Sequence, residues 1–136
     1  MRNKIVADNS TQLSEWLKEQ VVAFNQSQWP VQRQELGFSI NNEDAQRIGG
    51  ISGRWFGNWL LIDWLWVNPE DRGQGYASEL LSKLESHAKE LGANKAVLDT
   101  LEFQAPEFYR RHGYEEVFVL ENYPLTGRRS YMCKEL

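Results

Sequence analysis

Apolar residues recur with two different periods in the middle of the chain, and each period predicts one structural element. Residues 59–67, WLLIDWLWV, carry apolar side chains on both faces and are too few to span a bilayer, which is typical of a central strand covered on both sides. Asn68-Pro69 ends this strand. From residue 77 the apolar spacing changes to three and four, which predicts an amphipathic helix up to Gly92: Ala77, Leu80, Leu81, Leu84, Ala88 and Leu91.

The segment before this core predicts a short strand, a helix and a hairpin. Residues 4–7 have the composition of an opening strand, and the helix after them is expected to end near Asn25, with one apolar face: Leu13, Trp16, Leu17, Val21 and Phe24. The polar run 41–44 predicts the turn of a β-hairpin. Gly49-Gly50, in its second strand, indicates a bulge or a close contact with a neighbouring element.

The segment after the core predicts a return to strands. Residues 95–100 indicate a strand parallel to the central one, because a helix connects the two. Pro106 begins and Gly113 ends a short helix, and closing strands follow at 114–120 and 129–134. The whole pattern predicts an α/β fold with a mixed, twisted sheet and helices on both of its faces.

Composition narrows the class of protein and of partner. A chain of 136 residues with 41% hydrophobic residues suits one domain, residues 1–136. Fifteen basic and nineteen acidic residues give a net charge of −4, which argues against nucleic-acid binding and weakly favours cationic substrates. The single Cys133 fits a reducing compartment, and no segment has the pattern of a signal core or a membrane span. We therefore expect a cytoplasmic protein without a membrane partner.

The turn before the helix is a candidate anion site. Gly73 and Gly75 lack Cβ atoms, so a ligand can approach the backbone closely, and the helix start offers free N–H groups and a partial positive charge. Arg72 adds a fork of donors suited to phosphate. The alternative is a tight glycine turn beside a solvated arginine. A P-loop and a dinucleotide fingerprint are excluded, because the Lys-Ser/Thr ending and the third glycine are absent.

Two motifs resemble one family, the GNAT N-acetyltransferases. Residues 67–77, VNPEDRGQGYA, are similar to that family's acetyl-CoA signature, Gln/Arg-x-x-Gly-x-Gly/Ala, whose defined positions are occupied by Arg72, Gly75 and Ala77. Residues 108–114, FYRRHGY, are similar to its helix-to-strand segment ending in Gly-Phe/Tyr. The resemblance implies a single GNAT-like domain with acetyl-CoA as co-substrate.

The resemblance also implies where the cofactor binds. Acetyl-CoA is expected to enter where strands 59–67 and 95–100 splay apart. Backbone groups of the first strand would pair with the pantetheine arm, amides of the turn would hold the pyrophosphate, and Phe108 would pack against the cofactor. The implied cofactor-binding residues are Leu65, Trp66, Val67, Arg72, Gly73, Gln74, Gly75, Tyr76, Ala77 and Phe108.

The first catalytic candidate, Tyr109, also rests on the resemblance. It matches the family's tyrosine that commonly faces the departing sulfur, where a phenol can protonate the thiolate. The alternative is a core aromatic on a short amphipathic helix.

The second catalytic candidate, Asp63, follows from the proton that the acceptor must lose. A lysine-like amine with a pKa near ~10.4 cannot attack a thioester until it is deprotonated. Asp63 is expected to share a strand face with Leu65 and Val67, and a carboxylate there needs a reason. It would take the proton directly or through water, unless it makes a structural hydrogen bond to a neighbouring loop. Glu102 is a second candidate base.

The resemblance implies acetyl transfer from acetyl-CoA to a primary amine by direct attack, and the net charge favours a small cationic acceptor. No metal is expected, because His87 and His112 are isolated and no Cys/His cluster exists. Family members often pair, so the resemblance favours a homodimer. One alternative is a non-catalytic CoA- or nucleotide-sensing module. Another is a protein-interaction domain, because six tryptophans could form an adhesive patch if they are exposed.

Overall fold

The computed structural model describes all 136 residues, which form three helices and six strands. The chain consists of two compact units, residues 1–31 and 32–136. The helices are α1 Thr11–Gln28, α2 Tyr76–Leu91 and α3 Pro106–Arg111, and a 3₁₀ turn covers Pro69–Asp71. The strands are β1 Arg33–Asn41, β2 Arg47–Phe56, β3 Trp59–Val67, β4 Lys95–Leu101, β5 Glu115–Glu121 and β6 Arg128–Glu135.

The first unit holds α1, which begins where Ser10 caps it. The Ser10 hydroxyl accepts from the backbone N–H of Leu13 at 3.2 Å. The predicted opening strand at residues 4–7 is wrong, because no strand pairs with this segment. The predicted helix is confirmed and continues past Asn25 to Gln28. None of its residues is buried.

The second unit is a six-stranded sheet in the order β1-β2-β3-β4-β6-β5. Only β3 and β4 run parallel, and α2 connects them, while every other neighbouring pair is antiparallel. The predicted hairpin, crossover and closing strands are therefore confirmed, as is the mixed α/β class.

Helix α2 packs its apolar stripe against β1, β2 and β3. Glycines in the left-handed region flank it: Gly75 at φ +83° before its start and Gly92 at φ +118° after its end. The stripe supplies Leu80, Leu81, Leu84 and Ala88 to the core, which also contains Leu36, Ile51, Leu60, Ile62, Val67, Ala96, Leu98 and Met132. This packing fixes the start of α2 beside the carboxyl end of β3.

The other face of β3 carries exposed indoles. Trp64 is 78% and Trp66 57% exposed, so the prediction of a strand covered on both sides is wrong. The close contact predicted at Gly49-Gly50 is confirmed. A Cβ at Gly49 would lie 2.9 Å from the carbonyl oxygen of Trp66, so only glycine lets the two strands approach this closely.

Candidate active site

The turn between β3 and α2 contains two glycines in the left-handed region. Gly73 has φ +81° and Gly75 φ +83°, and apart from the adjacent residues no heavy atom lies within 4 Å of the place where either Cβ would stand. Gly75 is the N-cap of α2 and has no side chain to accept from the first N–H groups. The start of this 16-residue helix therefore presents backbone donors and a partial positive charge to open space, which suits an anion.

Arg72, just before this pair of glycines, folds back towards β3. Its Nε donates to the carbonyl oxygen of Val67 at 2.7 Å, and its guanidinium lies 4.7 Å from the ring centroid of Trp66. These contacts hold the turn against the end of the strand. The hydrogen bond uses Nε, which leaves both Nη groups as donors for an anion.

Strands β3 and β4 separate soon after they begin to pair. Their parallel register ends where Leu61 lies opposite Val97. Because β3 continues to Val67 and β4 to Leu101, the edges that face each other beyond this point have no strand partner. The predicted splay is therefore confirmed, and the β3 residues implied in cofactor binding lie in its unpaired part.

The exposed indoles of Trp64 and Trp66 line a cleft of about 370 Å³ on the face opposite the core. Trp66 is oriented by its Nε1–H, which donates to Oδ1 of Asn68 at 3.0 Å. Small residues of β1 and β2 also line the cleft: Gly37, Ser39, Gly50 and Ser52. Arg47 also lines the cleft, and the Arg72 guanidinium already lies over the Trp66 ring. The indole of Trp64 is therefore the aromatic surface left for a planar or cationic group.

Asp63 occupies a β-bulge that the sequence pattern did not reveal. The pairing of β2 with β3 shifts there by one residue, so Asp63 has no partner in β2. The prediction that it shares a face with Leu65 and Val67 is wrong, because the extra residue reverses the alternation. Those two side chains pack into or against the core, whereas Asp63 faces Arg54 on the opposite side.

Arg54 holds the Asp63 carboxylate with two hydrogen bonds. Its Nε donates to Oδ2 at 3.1 Å and its Nη2 to Oδ1 at 3.0 Å. The two side chains are 41% and 30% exposed, so solvent reaches the pair. Each carboxylate oxygen keeps a second lone pair for water or an amine. The other candidate base, Glu102, is exposed and lies beside Gly127 in the loop before β6.

Tyr109 on α3 is 8% exposed. Its ring packs edge-on against Phe108 and Tyr114, with centroid distances of 5.2 and 5.8 Å. No fully buried polar side-chain atom lacks a partner, so the Tyr109 hydroxyl, which has none in the chain, reaches solvent. Burial, and to a lesser degree the negative charge of Asp99, raises the pKa of Tyr109. The phenol is therefore protonated at neutral pH and can donate.

Two polar connections near Tyr109 have no signal in the sequence. Nε2 of His112 is hydrogen-bonded to the hydroxyl of Ser78, 34 positions away in the sequence, at 2.9 Å. The His112 ring also stacks on the ring of Phe108, with the centroids 4.5 Å apart. The buried Tyr114 donates to Glu85 at 2.7 Å. Only the fold brings such distant residues together.

The Glu85 carboxylate also accepts from Nζ of Lys134, at 3.1 and 3.0 Å to its two oxygens. The Lys134 ammonium lies 5.6 Å from the ring centroid of Tyr114. Burial, followed by the bond to Glu85, raises the pKa of Tyr114. This cluster ties α2 to β6 beneath the helix that carries Tyr109.

Two kinds of feature are absent. No group of three or more His, Cys, Asp or Glu side chains is placed to hold a metal ion. None of the helices combines the length and the apolar composition that crossing a membrane requires.

Comparisons with known proteins agree with this geometry. The sequence pattern described as the Acetyltransferase (GNAT) family matches residues 4–114. The chain is 36% identical over 95 residues to a Blasticidin-S acetyltransferase of Streptomyces morookaense, which covers 69% of this chain and 70% of that protein.

Solved structures extend the likeness to the fold. An acetyltransferase from Bacillus cereus superposes with a TM-score of 0.86 at 35% identity, covering 98% of both chains. A streptothricin acetyltransferase from Bacillus anthracis, solved with acetyl coenzyme A, gives a TM-score of 0.67 at 18% identity over 75% of this chain and 62% of that one, a likeness of fold alone. The matched pattern spans most of the chain and includes the turn, the splay and the short helix of the candidate site. The chain is an acetyltransferase and belongs to the GNAT family.

Proposed function

We propose that this enzyme transfers the acetyl group of acetyl-CoA to a primary amine on a small cationic molecule, by direct attack in a ternary complex. The observation that carries the proposal is the glycine turn at the start of α2, which opens beside the splayed strands β3 and β4. One site for an anion thus adjoins one for an extended amide chain, as a CoA molecule requires. Membership of the GNAT acetyltransferase family favours a catalytic role for this protein over the alternative of a CoA-sensing module.

The cofactor would be held mainly by backbone groups. Amides from Gly73 to Ala77 are proposed to bind the pyrophosphate, because space around both glycines is open and α2 contributes its positive end. The N–H of Arg72 already donates to the carbonyl oxygen of Pro69 at 3.4 Å, so Arg72 would contribute its side chain. The unpaired edge of β3 from Leu65 to Val67 is proposed to pair with the pantetheine amides. Phe108, half-buried beside Tyr109, would pack against the thioester end.

The chemical step joins the amine nitrogen to the acetyl group and releases the sulfur of CoA. The amine nitrogen forms a bond to the thioester carbonyl carbon, the carbon–sulfur bond breaks, and the sulfur leaves with the electron pair. We propose that Tyr109 gives its proton to this sulfur, because its phenol is protonated at neutral pH and the negative sulfur that leaves needs a proton. The resulting phenolate regains a proton from water.

The acceptor's own proton is proposed to go to Asp63. Both of its oxygens already accept from Arg54, which supports transfer through a bridging water rather than direct contact. A structural role for the Arg54–Asp63 pair is the alternative.

Three observations support a small cationic acceptor. One relative, 36% identical, is named for acetylating blasticidin S. The chain has a net charge of −4. The cleft offers the indole face of Trp64, which attracts cations, and contains one positive side chain, Arg47.

The test is Tyr109→Phe in single turnover against a panel of amines. The substitution keeps the packing ring and removes the proton donor, so the rate should fall by about 10²–10⁴-fold while the Kd for acetyl-CoA is unchanged. Single turnover is needed because slow product release would conceal the effect. A wild-type rate in Tyr109→Phe would reject the acid role, and an equal loss of affinity would make Tyr109 a binding residue. Cofactor binding without turnover of any amine would favour the sensing alternative.

A homodimer is proposed from α1. The helix exposes an apolar stripe that includes Trp16 at 57% and Phe24 at 65%. An exposed stripe of this length marks an association surface, and we propose a second copy as its partner. Phe24→Glu should yield a monomer in light scattering, while Gln26→Glu on the opposite side of the helix should not. A wild-type chain that is monomeric at micromolar concentration would contradict the proposal.

A further inference from the structure

His112 makes polar contacts with two different helices. Its Nδ1 lies 3.0 Å from the carbonyl oxygen of Phe108 in α3, and its Nε2 lies 2.9 Å from the hydroxyl of Ser78 in α2. The ring also stacks on Phe108, with centroids 4.5 Å apart and planes at 29°. A single imidazole therefore bridges the two helices.

The partners fix which nitrogen donates. A carbonyl oxygen can only accept, so Nδ1 carries the proton that bonds Phe108. In the neutral ring Nε2 then accepts from the Ser78 hydroxyl. The carbonyl of Phe108 is free for this bond, because the backbone N–H of His112 donates to Tyr109 instead. The side chain thus caps α3 and holds it to α2 at once.

The two partners belong to the two helices that would contact the cofactor. Ser78 lies in the first turn of α2, whose N–H groups would bind the pyrophosphate. Phe108 directly precedes Tyr109, which would protonate the sulfur. We propose that His112 is a positioning residue that sets the distance between the phosphate turn and the Tyr109 hydroxyl. This inference rests on the proposed roles of both.

Helix α3 needs such a connection because it is short. It spans six residues, and its N-cap, Ala105, has no side-chain hydrogen bond. Helices of this length are not stable by themselves, so tertiary contacts decide their orientation. The Tyr114 cluster holds the chain that follows α3, whereas His112 bonds α3 to the first turn of α2.

A double-mutant cycle tests the connection. Ser78→Ala, His112→Asn and the double variant are compared with wild type in single turnover, with Ser82→Ala as a matched control on the exposed side of α2. His112→Asn keeps an amide donor for Phe108 but is too short to reach Ser78. A misplaced acid can cost up to about 10²-fold, so each single variant should lose roughly 10- to 100-fold in rate. The double variant should lose no more than the larger single loss.

Affinity and folding are measured in parallel. The phosphate turn stays attached to α2, so the Kd for CoA should change less than about threefold, and melting temperatures should stay near that of wild type. Near-wild-type rates in Ser78→Ala and His112→Asn, or rate losses that multiply in the double variant, would overturn the inference. Loss of CoA binding in proportion to the rate would overturn it as well.

Tyr109→Phe in the same assay separates this inference from the proposed function. If Tyr109→Phe lowers the single-turnover rate while the Ser78 and His112 variants keep the wild-type rate, only the positioning role is rejected. A normal Tyr109→Phe rejects the acid role, and with it any positioning of that acid. The ¹⁵N spectrum of the His112 ring reports the bridge without activity, and an unchanged spectrum in Ser78→Ala would also count against it.

Discussion

Replacing Gly75 by alanine separates the cost of an unusual backbone from the cost of blocking a ligand. Gly75 has φ +83° and a Cβ there would meet nothing within 4 Å, so the methyl group clashes with no atom of the protein. Gly92 provides the matched control. It has φ +118° at the other end of the same helix, and the space around its Cβ position is equally empty.

Both substitutions should destabilise the fold to a similar extent. An L-residue in the left-handed region costs roughly 1–2 kcal/mol. For a chain of this size that corresponds to a fall in melting temperature of about 3–10 °C. Neither variant should unfold at room temperature, because typical domains have about 5–15 kcal/mol of stability.

Only Gly75→Ala should lose the cofactor. Its methyl group would stand where a phosphate oxygen meets the backbone N–H groups of the turn. Loss of one charge-assisted hydrogen bond is worth about 1.5–3 kcal/mol, which is roughly 10- to 150-fold in Kd. Calorimetry with CoA measures this directly, beside thermal melts of both variants. Equal CoA affinities in Gly75→Ala and Gly92→Ala would refute an anion site at this turn.

Three further predictions concern charge and protonation. The pKa of Tyr114 is raised in the folded state, so folding favours its protonated form. The free energy of unfolding should therefore be constant with respect to this group below pH 10.0, the ordinary tyrosine pKa, and should decrease as the pH rises above it. Denaturant unfolding on either side of that pH should show a smaller fall in Tyr114→Phe. Asp63→Asn should slow single turnover by about 10²–10⁴-fold with normal CoA affinity, whereas an unchanged rate would leave Asp63 a structural partner of Arg54. Polyamine-like acceptors should have higher kcat/KM than neutral amines and lose this advantage in salt, and a preference for anionic acceptors at low salt would disprove the electrostatic argument.

Periodicity was sufficient for the elements that bury one face. The boundaries of α2 follow from an apolar stripe that ends at a glycine, and both are visible in the sequence. The same reasoning fails at Asp63, because one unpaired residue reverses the faces of everything after it and leaves no mark on composition. It also fails for α1, since the pattern reveals an apolar face but not what covers it.

The candidate site also has one part that the sequence predicts and another that only the fold reveals. Its glycine turn is local, so residues close in sequence define it. The bonds of His112 to Ser78 and of Tyr114 to Glu85 join residues 34 and 29 positions apart, and no local signal predicts such pairs. Arg54, which holds Asp63, is likewise invisible until the register of β2 and β3 is known.

The separation of β3 from β4 creates two unpaired strand edges in the interior of a sheet, rather than at its margin. Unpaired edges are templates for another strand, and natural proteins usually protect them. A cofactor with an extended amide arm would act as the missing strand, so cofactor supply would govern aggregation as well as turnover. Backbone amides from Ile62 to Val67 that face the gap should exchange hydrogen rapidly in the free enzyme and slowly with CoA. The molecule that supplies the acetyl group would then also stabilise the folded enzyme.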